Sequence, residues 1–254
     1  MLHKLCLLCL VFFVSGSQLG ASKGQLELAV KAYDQGEFYN SVKIYENLIA
    51  EGVESGHAFY NLGNAYFRLE EPGKAMAAYL AAKRLLPRDP DIKANLAYVH
   101  GQIQDKLEYE IDAGLLKVIA FWQDSFTSKE IFEAFLLFWC IGLLLLGAFV
   151  WKQDLIGLKR TGLGVLAVAM LIFSAFLISL NQDLVWGAVS AKNAAVRSGP
   201  GEFNTQVFEL HQGAPIMINE EENEWFLIGL SDGKKGWIAK KHVTAYGFDK
   251  NSST

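Results

Sequence analysis

The stretch FYNLGNAYFRLEEPGKAMAAYLAAKRLLPRDP, Phe59 to Pro90, reads as two helices with one oddity: Gly63 falls inside the first of them. A glycine in a helix interior costs about 1 kcal/mol relative to alanine. A chain keeps such a residue where a second element has to come close.

Self-comparison supplies the reason. Leu28, Leu62 and Leu96 recur at a spacing of 34, as do Ala29, Gly63 and Ala97 one position later, and Tyr45/Tyr79 and Asn61/Asn95 share the offset. A 34-residue period of paired helices is the tetratricopeptide signature. Leu62, Gly63, Tyr66, Ala75, Tyr79, Ala82 and Pro87 occupy its structural positions together with Phe59. Gly63 is expected to let the two helices of the hairpin approach, with Ala75 and Ala82 at the same contact from the other helix, and Pro87 to end the unit because it cannot continue a helix. The first repeat, about residues 22–55, is degenerate, with Ser41 and Leu48 where small alanines are usual; beyond Pro90 only a capping helix, about 91–108, is clear. The repeat region is set at residues 25–110. So few repeats are marginal as an independent solenoid, and the membrane segment or a partner is expected to complete the stack.

Repeats of this kind resemble peptide- and protein-binding scaffolds whose first helices line a groove. By that analogy Tyr60, Asn64 and Phe67 face the groove from the second repeat, and Asp91, Ala94 and Tyr98 from the cap. The alternative is that the asparagines only brace the stack.

The rest of the chain points to a membrane. It is 52% hydrophobic over 254 residues, and its net charge of −4 provides no basic field for nucleic acid. Residues 1–24 read as a signal peptide: His3 and Lys4, an apolar run from Leu5 to Val14, then small residues. An uncleaved anchor is the other reading. Residues 131–151 and 162–180 are each close to the roughly 20 residues that cross a bilayer, and Trp139, Trp151 and Trp186 suit interfacial depth. The loop 152–161, with Lys152, Lys159 and Arg160 against Asp154, is placed in the cytoplasm by the positive-inside rule. An export signal agrees: both soluble parts then lie on the periplasmic, extracytoplasmic side of the cytoplasmic membrane. Residues 111–130 fit either an interfacial helix or a linker helix packed on the repeats.

From Val185 the pattern turns to short β-rich runs between turn signals. AAVRSGPG, the Trp225 strand and Gly236-Trp237-Ile238 resemble the bacterial SH3-like domain over residues 187–247, which implies a small barrel. Trp225 and Trp237 are expected in its core or rim, with partner binding as the second reading. Glu220, Glu221 and Glu222 read as a solvated hairpin tip, and Lys234, Lys235, Lys240 and Lys241 as solvated or facing an acidic partner.

No catalytic constellation is present. The histidines are scattered, Cys6 and Cys9 lie in the leader and Cys140 in a span, and neither a P-loop nor HExxH occurs. The expectation is a protein that is not an enzyme, with no metal and no cofactor. The fold class expected is a multidomain membrane protein: an all-α tetratricopeptide solenoid, two transmembrane helices and an all-β SH3-like barrel.

That order of parts, with FYNLGNAYFRL, RLLPRDPDIKANLAYVH (84–100), Phe121-Trp122 ahead of the first span and AAVRSGPG, resembles the BatE-like tetratricopeptide proteins of the Bacteroides aerotolerance (Bat) operon. The resemblance implies a scaffold in an aerotolerance or stress system, with membrane-anchored von Willebrand factor A-domain proteins as partners. The alternative function is an envelope anchor whose SH3-like domain binds peptidoglycan.

Overall fold

A computed structural model describes residues 23–108, 125–151, 156–181 and 185–247. The expected leader, apart from its last residues, lies outside these, as do residues 111–124 of the expected linker and residues 152–155 of the expected loop. One compact unit combines the N-terminal helices with the C-terminal strands, and a second holds the two long apolar helices.

In the first unit, α1 (23–34), α2 (Phe38–Ala50), α3 (Gly56–Arg68), α4 (Pro72–Leu85) and α5 (Pro90–Gln102) follow one another through short turns. Local chemistry sets their ends. Ser55 caps α3 by accepting from the Ala58 amide, and Asp89 caps α5 by accepting from the amides of Asp91 and Ile92. Pro72 and Pro90 stand in the first turns of α4 and α5, where a missing N–H costs nothing. The helix after Pro90 stops at Gln102, short of the expected 108.

Gly63 lies against the ring of Tyr79 on α4. A Cβ built at Gly63 would stand 2.6 Å from Tyr79 Cδ1 and Cε1. The glycine therefore makes room for an aromatic ring, whereas the sequence reading paired it with Ala75 and Ala82; both alanines are fully buried in the same core, with Leu62 and Tyr66. In the degenerate first pair, Ser41 is fully buried and satisfied, its hydroxyl donating to the Ala29 carbonyl at 2.9 Å.

Residues 75–82 of α4 are buried without interruption. A helix that is buried all round has partners on every side, and here α3 and α5 cover one side and the strands cover the other. The strands are β1 (Val185–Val189), β2 (Asn193–Arg197), β3 (Gln206–His211), β4 (Pro215–Glu222), β5 (Trp225–Gly229), β6 (Lys235–Ala239) and β7 (Val243–Ala245). They pair antiparallel in the order β3-β2-β6-β5-β4-β1-β7. Because no pairing joins β3 to β7, the sheet is open, and the closed barrel expected from the sequence is corrected to this open, seven-stranded order. A register shift in β2 and another in β4 bend the strands without closing them.

β1 belongs to both cores. Ala188 and half-buried Trp186 pack with the helices, while Val189, on the opposite side of the pleat from Ala188, packs with Val196, Ile216, Ile228 and Ile238. The approach is close: a Cβ at Gly73 of α4 would run into the Val189 carbonyl oxygen. Tyr246, just after β7, lies with its ring 5.2 Å from Phe59, and Tyr66 beside it donates to Glu46. Burial, reinforced by Tyr246 and Glu46, holds the Tyr66 phenol far above the ordinary tyrosine value, so it stays a donor. The sheet completes this side of the helical stack.

In the second unit, α6 (Ser128–Trp151) and α7 (Ile156–Asn181) pack against each other through Phe132, Phe135, Phe173 and Phe176, with ring centroids 4.8 Å apart for Phe135–Phe173 and 5.1 Å for Phe132–Phe176. Both are long and apolar enough to cross a membrane, and only 6% and 11% of their apolar windows are buried. Because α7 starts at Ile156, most of the expected loop 152–161 is helical.

Candidate functional site

The side of the helical unit formed by α1, α3 and α5 carries an open cleft of about 310 Å³, lined by Tyr33, Asn64, Phe67, Tyr79, Asn95, Tyr98 and Val99. Its polar floor is a small network. Tyr79 Oη donates to Asn64 Oδ1 at 2.7 Å, and Asn95 Nδ2 donates to the same oxygen at 2.9 Å. Asn95 Nδ2 also lies 3.3 Å from Tyr60 Oη and 3.4 Å from Tyr79 Oη. The side chains come from three helices, so each hydrogen bond also fixes a helix-to-helix distance. Burial keeps the Tyr79 phenol well above its ordinary range, with Tyr60 acting in the same direction and the Asn95 amide against both. It is therefore a neutral donor at any physiological pH.

The walls are aromatic. Phe67 and Tyr98 meet edge to face with centroids 5.5 Å apart, and Tyr60 and Tyr79 are 6.0 Å apart. Tyr98 is 59% exposed, a large aromatic surface at the mouth of the cleft. Amide and phenol groups over an aromatic wall suit peptide main chain and apolar side chains; the lining holds no carboxylate, histidine, lysine or cysteine that could transfer a proton or attack a substrate. Among the described residues no cluster of histidine, cysteine, aspartate or glutamate could hold a metal ion.

Of the residues expected to face the groove, Asn64, Phe67 and Tyr98 line the cleft and Tyr60 joins its network. Asp91 does not: it is exposed in the first turn of α5, and its amide is tied to the Asp89 cap. The asparagines do brace the stack, as the alternative reading held, and they face the cleft while doing so. Tyr33 was missed. It lies one 34-residue period before Phe67, so the repeat spacing that found Phe67 also pointed to it.

Trp225 and Trp237 stand elsewhere. In the β5–β6 register Leu227 faces Trp237 and Phe226 faces Ile238. By the pleat, Trp225, Leu227 and Trp237 share the face opposite buried Ile228 and Ile238. Both tryptophans are half-buried on that outer face, so of the core or rim expected from the sequence they do not take the core. Lys240, expected to be solvated, pairs with Glu221 and lies 5.3 Å over the Phe226 ring. On the connection between β2 and β3, Phe203 is fully exposed at 106%, and nearby Val207 is 56% exposed.

A family model described as the bacterial SH3 domain matches residues 192–244, the span from β2 into β7. No curated protein matches the chain.

Proposed function

We propose that this protein is a non-enzymatic, membrane-anchored scaffold whose helical stack is of the tetratricopeptide type and binds a segment of a protein partner in the Asn64–Tyr98 cleft. The observation that carries the reading is the convergence of Asn64 and Phe67 of α3 with Tyr98 of α5 on one open cleft, with Tyr60 in the neutral hydrogen-bonding network at its floor. α6 and α7 are the anchor, residues 1–24 the export signal, and both ends of the chain then lie on the periplasmic side. The resemblance to the BatE-like proteins makes a membrane-anchored von Willebrand factor A-domain protein the expected partner, in an aerotolerance or stress complex.

The test is a photoreactive amino acid at position 98 in the full chain, crosslinked in cells and read by mass spectrometry. A stoichiometric membrane-protein partner, lost when Phe67→Ala removes the aromatic wall, is the expected result. Crosslinks to lipid alone would sink the reading.

The match to the bacterial SH3 domain supports a second reading, an envelope anchor, because domains of this kind commonly bind peptidoglycan or proteins. Exposed Phe203 and Val207 provide an apolar contact surface on that module. Pelleting of the detergent-solubilised full chain with purified sacculi, reduced by Phe203→Ser, is the outcome this reading requires.

A further inference from the structure

The 34-residue offset places Tyr45, Asn61 and Val30 where Tyr79, Asn95 and Asn64 stand one repeat later. In the later set the Asn64 carbonyl oxygen receives both the tyrosine hydroxyl and the asparagine amide. In the earlier set the receiving residue is Val30, which has no acceptor to offer. Tyr45 is fully buried, and among the described residues its hydroxyl has no hydrogen-bond partner. Asn61 lies close enough to oppose the rise that burial imposes on the Tyr45 phenol, but not in hydrogen-bond geometry with it. A buried phenol without a partner forfeits the hydrogen bonds it would make in water, so something is expected to meet it.

Tyr45 lines an open cleft of about 420 Å³ between α1 and α3, with Leu26, Val30 and Ala58 on its apolar walls and Ser55, His57 and Asn61 as further polar groups. Lys23 and Lys31 on the rim are offset by Glu27 and Asp34, so the rim favours no net charge in what enters. We infer that this cleft is a binding subsite for the side-chain carboxamide of an asparagine or glutamine in a partner peptide. The incoming carbonyl oxygen takes the place that Asn64 Oδ1 holds in the neighbouring repeat, accepting from Tyr45 Oη and from Asn61 Nδ2, while the methylene stem rests on Leu26, Val30 and Ala58. A carboxylate would gain the same two donors but leave its charge uncompensated by the balanced rim. An aliphatic side chain would leave Tyr45 unpaired.

This inference rests on the reading of the helical face as a peptide site, and it can fail separately from it. The full chain in detergent micelles is titrated with N-acetyl-glutamine methylamide and, as the control, N-acetyl-norleucine methylamide, following the methyl resonances of Ala58 and Leu26. The glutamine probe is expected to shift both methyls saturably, with the norleucine probe at least about tenfold weaker, the worth of roughly one hydrogen bond. Val30→Asn supplies the acceptor internally. It should leave the chain at least as resistant to denaturation and weaken the glutamine probe by at least about tenfold. Tyr45→Phe, which deletes only an unpaired hydroxyl, should fold normally and weaken the probe similarly. Equal response to both probes, response to neither, or a glutamine response unchanged in Val30→Asn each overturns the subsite; the third outcome holds even if partner crosslinking at position 98 succeeds.

Discussion

Asp105 holds His211 at two points: one carboxylate oxygen accepts from the His211 backbone amide at 2.6 Å, and the other lies 3.0 Å from Nδ1 of the ring. On the far side of the ring, Gln104 Nε2 lies 3.1 Å from Nε2. Residues just past α5 are thereby tied to the end of β3, a strand otherwise paired only with β2. Asp105→Ala removes the acceptor and leaves a half-buried backbone amide without a partner. We expect a loss of about 1–3 kcal/mol in chemical denaturation of the full chain. Faster amide exchange should concentrate at β3, with α3 and α4 protected as before. Unchanged exchange at His211 would show that the contact does not hold the strand.

Gly73 sets how close α4 comes to β1. A side chain there meets the backbone of Val189 and Ser190, which cannot rotate away as a flexible side chain could. Gly73→Val should therefore separate the helical and β cores and cost about 1–3 kcal/mol or more by overpacking. Limited proteolysis is expected to cut the chain between α5 and the strands sooner than in the parent. At Gly63 the obstacle is the Tyr79 ring, so Gly63→Ala should perturb the Asn64–Asn95 network and leave the helix–sheet junction intact. Chemical shifts of the Asn64 and Asn95 side-chain amides against those of β1 would separate the two effects.

The parts of this architecture that were legible in the sequence are those written in local chemistry or in a period. Pro72, Pro90, Asp89 and Ser55 mark helix ends by their own geometry, and analogy with the 34-residue repeat pointed to Asn64, Phe67 and Tyr98, which line one cleft. The docking of the sheet on α4 was not read, because Gly73 of α4 and Ala188 of β1 are small and carry no motif. One signal was present: MAAYLAA at 76–82 has no polar face, which a helix with a solvated side would need. The face taken by the tryptophans stayed open, core or rim, for a related reason. WFLIG is apolar at every position, so alternation cannot say which residues point inward, and only the β5–β6 register settles the parity.

His242 offers a pH test. Its Nδ1 is buried with no hydrogen-bond partner, and burial, followed by the charge of Lys241, lowers its pKa from the ordinary 6.5. The unfolded chain binds this proton more readily than the folded one. The contribution to stability is thus complete above about 6.5 and declines as the pH falls through that value toward the depressed folded pKa. His242 also anchors the junction through its backbone carbonyl, which accepts from the Ser190 amide at 2.8 Å. The melting temperature is expected to drop on acidification from about pH 7 to about pH 5. His242→Gln should flatten that dependence. An identical slope in the variant would assign the acid sensitivity to other groups.

The membrane arrangement we propose is open to chemical labelling, and the structure decides where the labels go. Ser41 would be a poor reporter, since it is fully buried and bonded to Ala29. Tyr39, 75% exposed on α2, and exposed Ser231 on the β5–β6 turn are accessible. In a background with Cys6, Cys9 and Cys140 replaced by serine, Tyr39→Cys and Ser231→Cys should react with a membrane-impermeant maleimide in intact spheroplasts. Gln153→Cys, between α6 and α7, should react only after lysis. Two antiparallel spans put the ends of the chain on one side whatever its orientation. Labelling at 39 and 231 together thus tests the number of spans, and its presence or absence before lysis tests their direction. Reaction at 153 alone in intact cells would invert the topology. Reaction at only one of 39 and 231 would mean that α6 and α7 do not both cross.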